Sequence, residues 1–196
     1  MVDIYLVGVG GQGIITASKI IGDAAVFAGK NVLLSETHGM AQRGGSVVCT
    51  ARIGEVSSPL IPDGQADVIL SFEALETLRA RCMSSEKTIV LSSMERVTPL
   101  SVSAQKLKYP TPEEVEVGFK GISARFLFVD ARRLALEAGV GMSPNIVMVG
   151  ALAGTGITGL PRKDFEKAIE LNISRKLKGN LDAFAKGFEI GKRAAP

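Results

Sequence analysis

Two short apolar runs, residues 3–9 and 31–35, flank the segment Gly8-Val-Gly-Gly-Gln-Gly13 and a helical stretch from 14 to 28. In that stretch Ile14, Ala17, Ile21, Ala25 and Ala28 keep the spacing of one helix face. Gly29 is a natural stop, because glycine tolerates the left-handed conformation found after a helix. Strand, helix and strand in this order form a βαβ unit, which implies parallel strands joined by a right-handed crossover. The expected fold is therefore α/β: a layered, mostly parallel sheet flanked by helices, with a Rossmann-like glycine loop after the first strand.

The rest of the chain continues the pattern. Val47, Cys49, Ala51 and Ile53 alternate with Val48, Thr50 and Arg52, predicting a strand with one wetter face. Buried strands are expected at 67–72, 88–92 and 126–130, with helices at 73–81 and 131–138. Ser143-Pro144 reads as the cap and first-turn proline of a further helix, and two more follow Gly159-Leu160-Pro161. In the last of these, Leu177, Leu181, Phe184 and Phe188 make one apolar stripe, the mark of a helix packed on a core. Residues 93–125, broken by Pro99, Pro110, Pro112 and Gly118, show no sustained period. Nothing marks an internal boundary, so residues 1–196 are expected to form one domain that includes the helices at 161–193.

Composition removes whole classes of function. With 46% hydrophobic and 22% charged residues the chain can bury a core, which excludes disorder. No apolar run approaches the roughly 18 residues of a membrane span. The opening Met-Val-Asp carries no basic leader, and a cytoplasmic location is expected. The net charge of +3 divides into −2 over residues 1–100 and +5 over the remainder. That excess is interleaved with acids on amphipathic helices and forms no nucleic-acid patch. Cys49 and Cys82 cannot supply four ligands to an iron–sulfur cluster. A single histidine, His38, offers neither metal-ligand spacing nor the partner needed for a nucleophilic triad.

Two segments carry the chemistry. Gly8, Gly10 and Gly13 satisfy G-x-G-x-x-G between a strand and a helix, where backbone can approach a phosphate at the positive helix end. Glu36 closes the second strand, where a dinucleotide fold places an acid on a ribose hydroxyl. Three readings follow: an NAD(P)- or flavin-dependent oxidoreductase, a more general anion site, or tight packing alone. The second segment joins Glu36, His38, Gln42 and Arg43 with Gly39, Gly44, Gly45 and Ser46, which is poor material for a core. Both segments follow strands, so they should share the ligand-binding edge of the sheet. Arg43 could hold a carboxylate or phosphate through its planar fork. His38 is either a hydrogen-bonded structural residue or a proton carrier.

Together the two segments resemble the gamma-type domain of 2-oxoacid:ferredoxin oxidoreductases. The residues are Gly-Val-Gly-Gly-Gln-Gly (8–13) and Ser-Glu-Thr-His-Gly-Met-Ala-Gln-Arg-Gly-Gly-Ser-Val (35–47). The wording His-Gly-Met-Ala-Gln-Arg-Gly-Gly is most like the beta subunit of the indolepyruvate branch, and residues 145–153 are similar to a third family segment. The resemblance implies CoA-dependent oxidative decarboxylation of a 2-oxoacid, with thiamine diphosphate and iron–sulfur clusters passing electrons to ferredoxin. No Gly-Asp-Gly followed by the asparagine of a thiamine diphosphate motif occurs; Gly22-Asp23 precedes alanine on a helix. The expectation is thus a non-cofactor subunit, inactive alone, that completes a site built mainly by a larger partner carrying thiamine diphosphate and clusters. The implied contacts with substrate or CoA are Gly10, Gly11, Gln12, Gly13, Glu36, Gln42, Arg43, Gly44, Gly45 and Ser46, with His38 and Arg43 candidates for substrate. A stand-alone dinucleotide oxidoreductase and a non-catalytic binding module are the competing readings.

Overall fold

The computed structural model describes residues 1–36, 45–97 and 109–195. Six strands form one sheet: β1 (Val2–Val9), β2 (Val32–Glu36), β3 (Ser46–Ile53), β4 (Val68–Ser71), β5 (Ile89–Ser93) and β6 (Arg125–Val129). Their spatial order is β2-β3-β1-β4-β5-β6. Seven helices occur among the described residues: α1 (Ile14–Phe27), α2 (Ala74–Arg79), α3 (Pro112–Val117), α4 (Ala131–Glu137), α5 (Pro144–Thr155), α6 (Arg162–Asn172) and α7 (Leu177–Gly191).

The sheet is mixed. β1, β4, β5 and β6 run parallel, whereas β3 is antiparallel to both of its neighbours, β1 and β2. The expected βαβ unit is present, since β1 and β2 point the same way, but β3 lies between them. The reason is chain length: the connection from Glu36 to Ser46 is shorter than the dozen or so residues a parallel crossover needs. β3 must therefore return antiparallel to β2.

Alternate residues of β1 feed opposite cores. Ile4 and Leu6 join the larger cluster, built with α1, α4, α5, α6 and α7, whereas Val7 faces a smaller one with Ile69, Val90 and Phe119. Burial on both faces explains why the central strands read as continuous apolar runs rather than alternating ones. On β3 the alternation holds: Val47, Cys49, Ala51 and Ile53 enter the larger core. Its other face is covered by the 54–62 connection, where Thr50 Oγ1 donates to Pro59 O and Arg52 pairs with buried Asp3.

α5 is buried from Asn145 to Thr155. α7 packs on it backbone to backbone through glycines. A methyl group at Gly187 would lie 2.0 Å from Val147 O, and one at Gly154 2.1 Å from Phe188 O. Phe184 is fully buried, and Leu177, Leu181 and Phe188 pack against the same core, so the stripe on α7 is a core stripe. Gly22 and Asp23 are also structural: Gly22 leaves room for Leu34, and Asp23 accepts from Asn172 Nδ2 at 2.7 Å.

Two local expectations change. The region at 93–125 contains α3, six residues long and so too short to show a period; Thr111 and Glu114 form a reciprocal capping box with Pro112 in the first turn. Ser143 occupies the N-cap of α5 but its side chain makes no capping bond.

Candidate functional site

The sheet topology brings the ends of β1, β2, β4, β5 and β6 and the start of β3 to one edge. The two sequence segments meet there: Gly10 N donates to Gly45 O at 2.9 Å. Each glycine of the first segment answers a different demand. At Gly8 a Cβ would stand 2.8 Å from Gln12 Oε1 and 2.9 Å from Phe72 Cβ. Gly13 has φ +75° and stands against Asn145. Gly11 has φ +100° with no atom within 4 Å of where a Cβ would be, so it faces open space.

Gln12 is an internal strut. Its Oε1 accepts from Val9 N at 2.8 Å and its Nε2 donates to Phe72 O at 2.9 Å, tying the glycine loop to the end of β4. The open side of the loop is a cavity of about 350 Å³ lined by Gly10, Gly11, Gly13, Ile14, Ile15, Thr16 and Val47. Gly13 caps α1 without a side-chain bond, and no acidic residue offsets the positive end of that helix in its first turn. Glycine backbone on one wall at such an end suits an anion, while Ile14, Ile15 and Val47 make the remaining wall apolar. A larger cavity of about 460 Å³, between α3 and the start of β6, lies at the opposite edge of the sheet.

Glu36 stands apart from this cavity. It pairs in register with Cys49, and β3 separates it from β1. Two strand spacings, roughly 10 Å, therefore divide it from the glycine loop, whereas in a dinucleotide fold the acid stands on the neighbouring strand. Burial, with a smaller push from the Glu36 charge, raises the Cys49 thiol to about 11, which leaves it inert at neutral pH. Gly45 and Ser46 reach the glycine loop edge; His38, Gln42, Arg43 and Gly44 lie outside the described residues.

The structure adds residues that sequence reasoning missed. Ser46 Oγ donates to Glu76 Oε2 at 2.6 Å, and Glu76 is fully buried. Glu73, also fully buried, caps α2 by accepting from Leu75 N and Glu76 N. Its other oxygen accepts from Val97 N and from the Tyr109 hydroxyl. Burial pushes the Glu73 carboxyl up to about 7 against the pull of these backbone donors, and the nearby Glu76 adds to the rise. The signal available in the sequence was two acids three apart just after an apolar strand, at a helix start. Asn145, within the third segment, donates through Nδ2 to Gly13 O at 3.2 Å. Among the described residues no group of three His, Cys, Asp or Glu is placed to hold a metal. No described helix is long and apolar enough to cross a membrane.

The structure is an α/β fold whose mixed sheet carries a glycine-lined edge. The chain belongs to the pyruvate ferredoxin/flavodoxin oxidoreductase family, whose model matches residues 3–190. It is 41% identical over 187 residues to indolepyruvate oxidoreductase subunit IorB of Archaeoglobus fulgidus, covering 95% of this chain and 93% of that protein. Identity to the subunit of the same name from Methanothermobacter thermautotrophicus is 42% over 187 residues, covering 95% of each. The crystal structure of pyruvate oxidoreductase subunit PORC from Thermotoga maritima superposes with a TM-score of 0.70 at 25% identity, covering 96% of both chains. This chain is accordingly the small subunit of a 2-oxoacid:ferredoxin oxidoreductase.

Proposed function

We propose that the chain serves an indolepyruvate-type oxidoreductase as its non-cofactor subunit, completing an active site whose thiamine diphosphate and iron–sulfur clusters reside on a larger partner. In the overall reaction the bond between C1 and C2 of the 2-oxoacid breaks and carbon dioxide leaves. Two electrons pass to two ferredoxins. The CoA sulfur bonds the acyl carbon and its proton is released. Nearly full-length identity above 40% to indolepyruvate oxidoreductase subunits supports the substrate class. The donor set of this chain does not suit a cluster: Cys49 is buried on β3 and Cys82 is a lone exposed thiol.

The observation that carries the site reading is the Gly10–Gly45 hydrogen bond, which joins the second segment to the positive end of α1. On this reading the glycine cavity takes the pyrophosphate of CoA, and His38 and Arg43, with Gln42 and Gly44, bring the second segment to the 2-oxoacid. The protein acts in the cytoplasm, with ferredoxin reached through the complex. A stand-alone dinucleotide enzyme is disfavoured by the distance of Glu36 from the loop.

Gly11→Ala tests this reading: a methyl group there meets nothing within the chain and enters the cavity. Its φ of +100°, which L residues rarely adopt, adds backbone strain that the thermal midpoint of the variant reads separately. In the reconstituted complex, CoA titration should show affinity weakened about tenfold, equivalent to the loss of one good hydrogen bond. The KM for the 2-oxoacid should not move. A shift in the 2-oxoacid KM alone would make the cavity a carboxylate site, and no shift in either would remove the loop from the active site.

A further inference from the structure

Gln12 stands in the middle of the glycine segment, yet it forms no part of the cavity wall beside it. Its side chain turns inward instead. Its backbone N–H donates to Val9 O at 3.1 Å, closing the four-residue turn Val9-Gly-Gly-Gln12. Gly11, at the third position of that turn, has φ +100°, the positive value that a type II turn demands there. The side chain closes the same turn a second time, since Oε1 accepts from Val9 N at 2.8 Å. Nε2 then donates to Phe72 O at 2.9 Å, while Phe72 N donates to Val7 O. One planar amide thus clasps the turn and moors it to the end of β4.

That amide has a prepared seat. A Cβ at Gly8 would lie 2.8 Å from Gln12 Oε1, 2.9 Å from Phe72 Cβ and 3.0 Å from Ile14 Cδ1. The first glycine of G-x-G-x-x-G therefore makes room for Gln12, whereas Gly10, Gly11 and Gly13 line the cavity. Glycine loses more backbone freedom on ordering than any other residue, so a wall built from it needs fixing from outside. The Gly10–Gly45 and Asn145–Gly13 bonds fix its flanks. Gln12 fixes the turn between them. The two demands on its side chain are exacting, because one planar group must accept from Val9 N and donate to Phe72 O. A glutamate keeps the acceptor but turns a carboxylate oxygen toward Phe72 O, and a methionine has the length without either function.

We infer that Gln12 is a positioning residue for CoA binding: seated against Gly8, it holds the backbone of Gly10 and Gly11 in the cavity wall before ligand arrives. Ordering the turn in advance removes that entropic cost from the binding step. Gln12 acts through the glycine backbone and touches no ligand itself. The inference rests on the reading, given above, that this cavity takes the pyrophosphate of CoA.

The test uses the reconstituted complex with the full chain. Gln12→Met keeps the length, carries no charge and removes both bonds. It should raise the KM for CoA roughly two- to thirtyfold, with kcat within about twofold and the KM for the 2-oxoacid unmoved. Gln12→Glu adds a pH signature. When protonated, the introduced carboxyl again offers one donor and one acceptor. Its excess in the CoA dissociation constant over wild type, titrated from about pH 5 to 8, should therefore shrink as pH falls through the carboxylate range. A merely structural role would lower the thermal midpoint and the amount of active enzyme without moving the CoA KM. An unchanged CoA KM in Gln12→Met overturns the inference. Should that variant not assemble, a pH-independent excess in Gln12→Glu, or none, overturns it equally. Because Gly11→Ala perturbs the cavity wall directly, a raised CoA KM there with none in Gln12→Met overturns the positioning role alone. No shift in either variant removes the reading of the cavity as well.

Discussion

The side-chain amide of Asn145 donates to the carbonyl of Gly13 at 3.2 Å, joining residues 132 apart in the chain. Gly13 O also accepts from Ala17 N, the first turn bond of α1. Asn145 is buried in the first turn of α5. The beginnings of two helices are therefore locked together at the glycine loop, which couples the core helix α5 to the edge where ligand is read to bind.

Asn145→Ala removes this bond without adding bulk. The expected cost is about 1 kcal/mol, seen as a thermal midpoint lower by about 2–4 °C for a chain of this size. The same variant should lower turnover of the complex, since the loop loses its brace. A midpoint and turnover both equal to wild type would show that the brace carries no weight.

The α5–α7 contact predicts a reversal of an ordinary rule. Gly→Ala within a helix usually stabilises by about 1 kcal/mol. At Gly187 and Gly191, however, the added carbon would lie 2.0 Å from Val147 O and Ala151 O. The obstructing atoms are backbone, so the helices must separate, at a cost of about 1–3 kcal/mol or more. Either substitution should destabilise the chain in urea unfolding; a stabilised Gly187→Ala protein would mean that the helices are not packed this closely.

Glu73 gives a pH signature of definite sign. Its carboxyl is raised from 4.5 to about 7 in the folded chain by burial. Between those values the folded protein binds more proton than the unfolded one. The contribution of Glu73 to stability is thus fully present below about pH 4.5 and lost as pH rises through 7. Glu137 acts oppositely and lower: Lys186 and Arg133 hold it below the usual carboxylate range, so its contribution is lost only as pH falls through that lowered value. Unfolding free energies measured from pH 4.5 to 8 should fall less steeply, or not at all, in Glu73→Gln. Identical profiles would place the titration elsewhere.

Much of this architecture was legible because it is local. The β1–loop–α1 sequence declares itself in a glycine cluster between an apolar run and a helical period, and the stripe on α7 matches a buried face. What escaped the sequence was pairing at long range. The insertion of β3 between β1 and β2 depends on which strand edges meet, and it moved Glu36 away from the loop it was expected to serve. The Glu73–Tyr109 contact joins a predicted helix to an unreadable stretch, so no periodicity could disclose it. Gly150, Gly154, Gly187 and Gly191 show small-residue spacing in the sequence, yet only the structure shows that each lies against the backbone of the opposite helix. Of the site residues, Gln12 proved to be a strut inside the loop, while Gly10 and Gly45 were brought together as the shared strand edge required.

The most direct test is reconstitution. Purified chain, the larger subunit proposed to carry thiamine diphosphate and clusters, and their mixture would each be assayed anaerobically for CoA-dependent reduction of ferredoxin by indolepyruvate. Activity should appear only in the mixture, saturating as the small subunit is titrated in. Turnover by the small subunit alone, or a larger subunit as active without it as with it, would contradict its role in completing the active site.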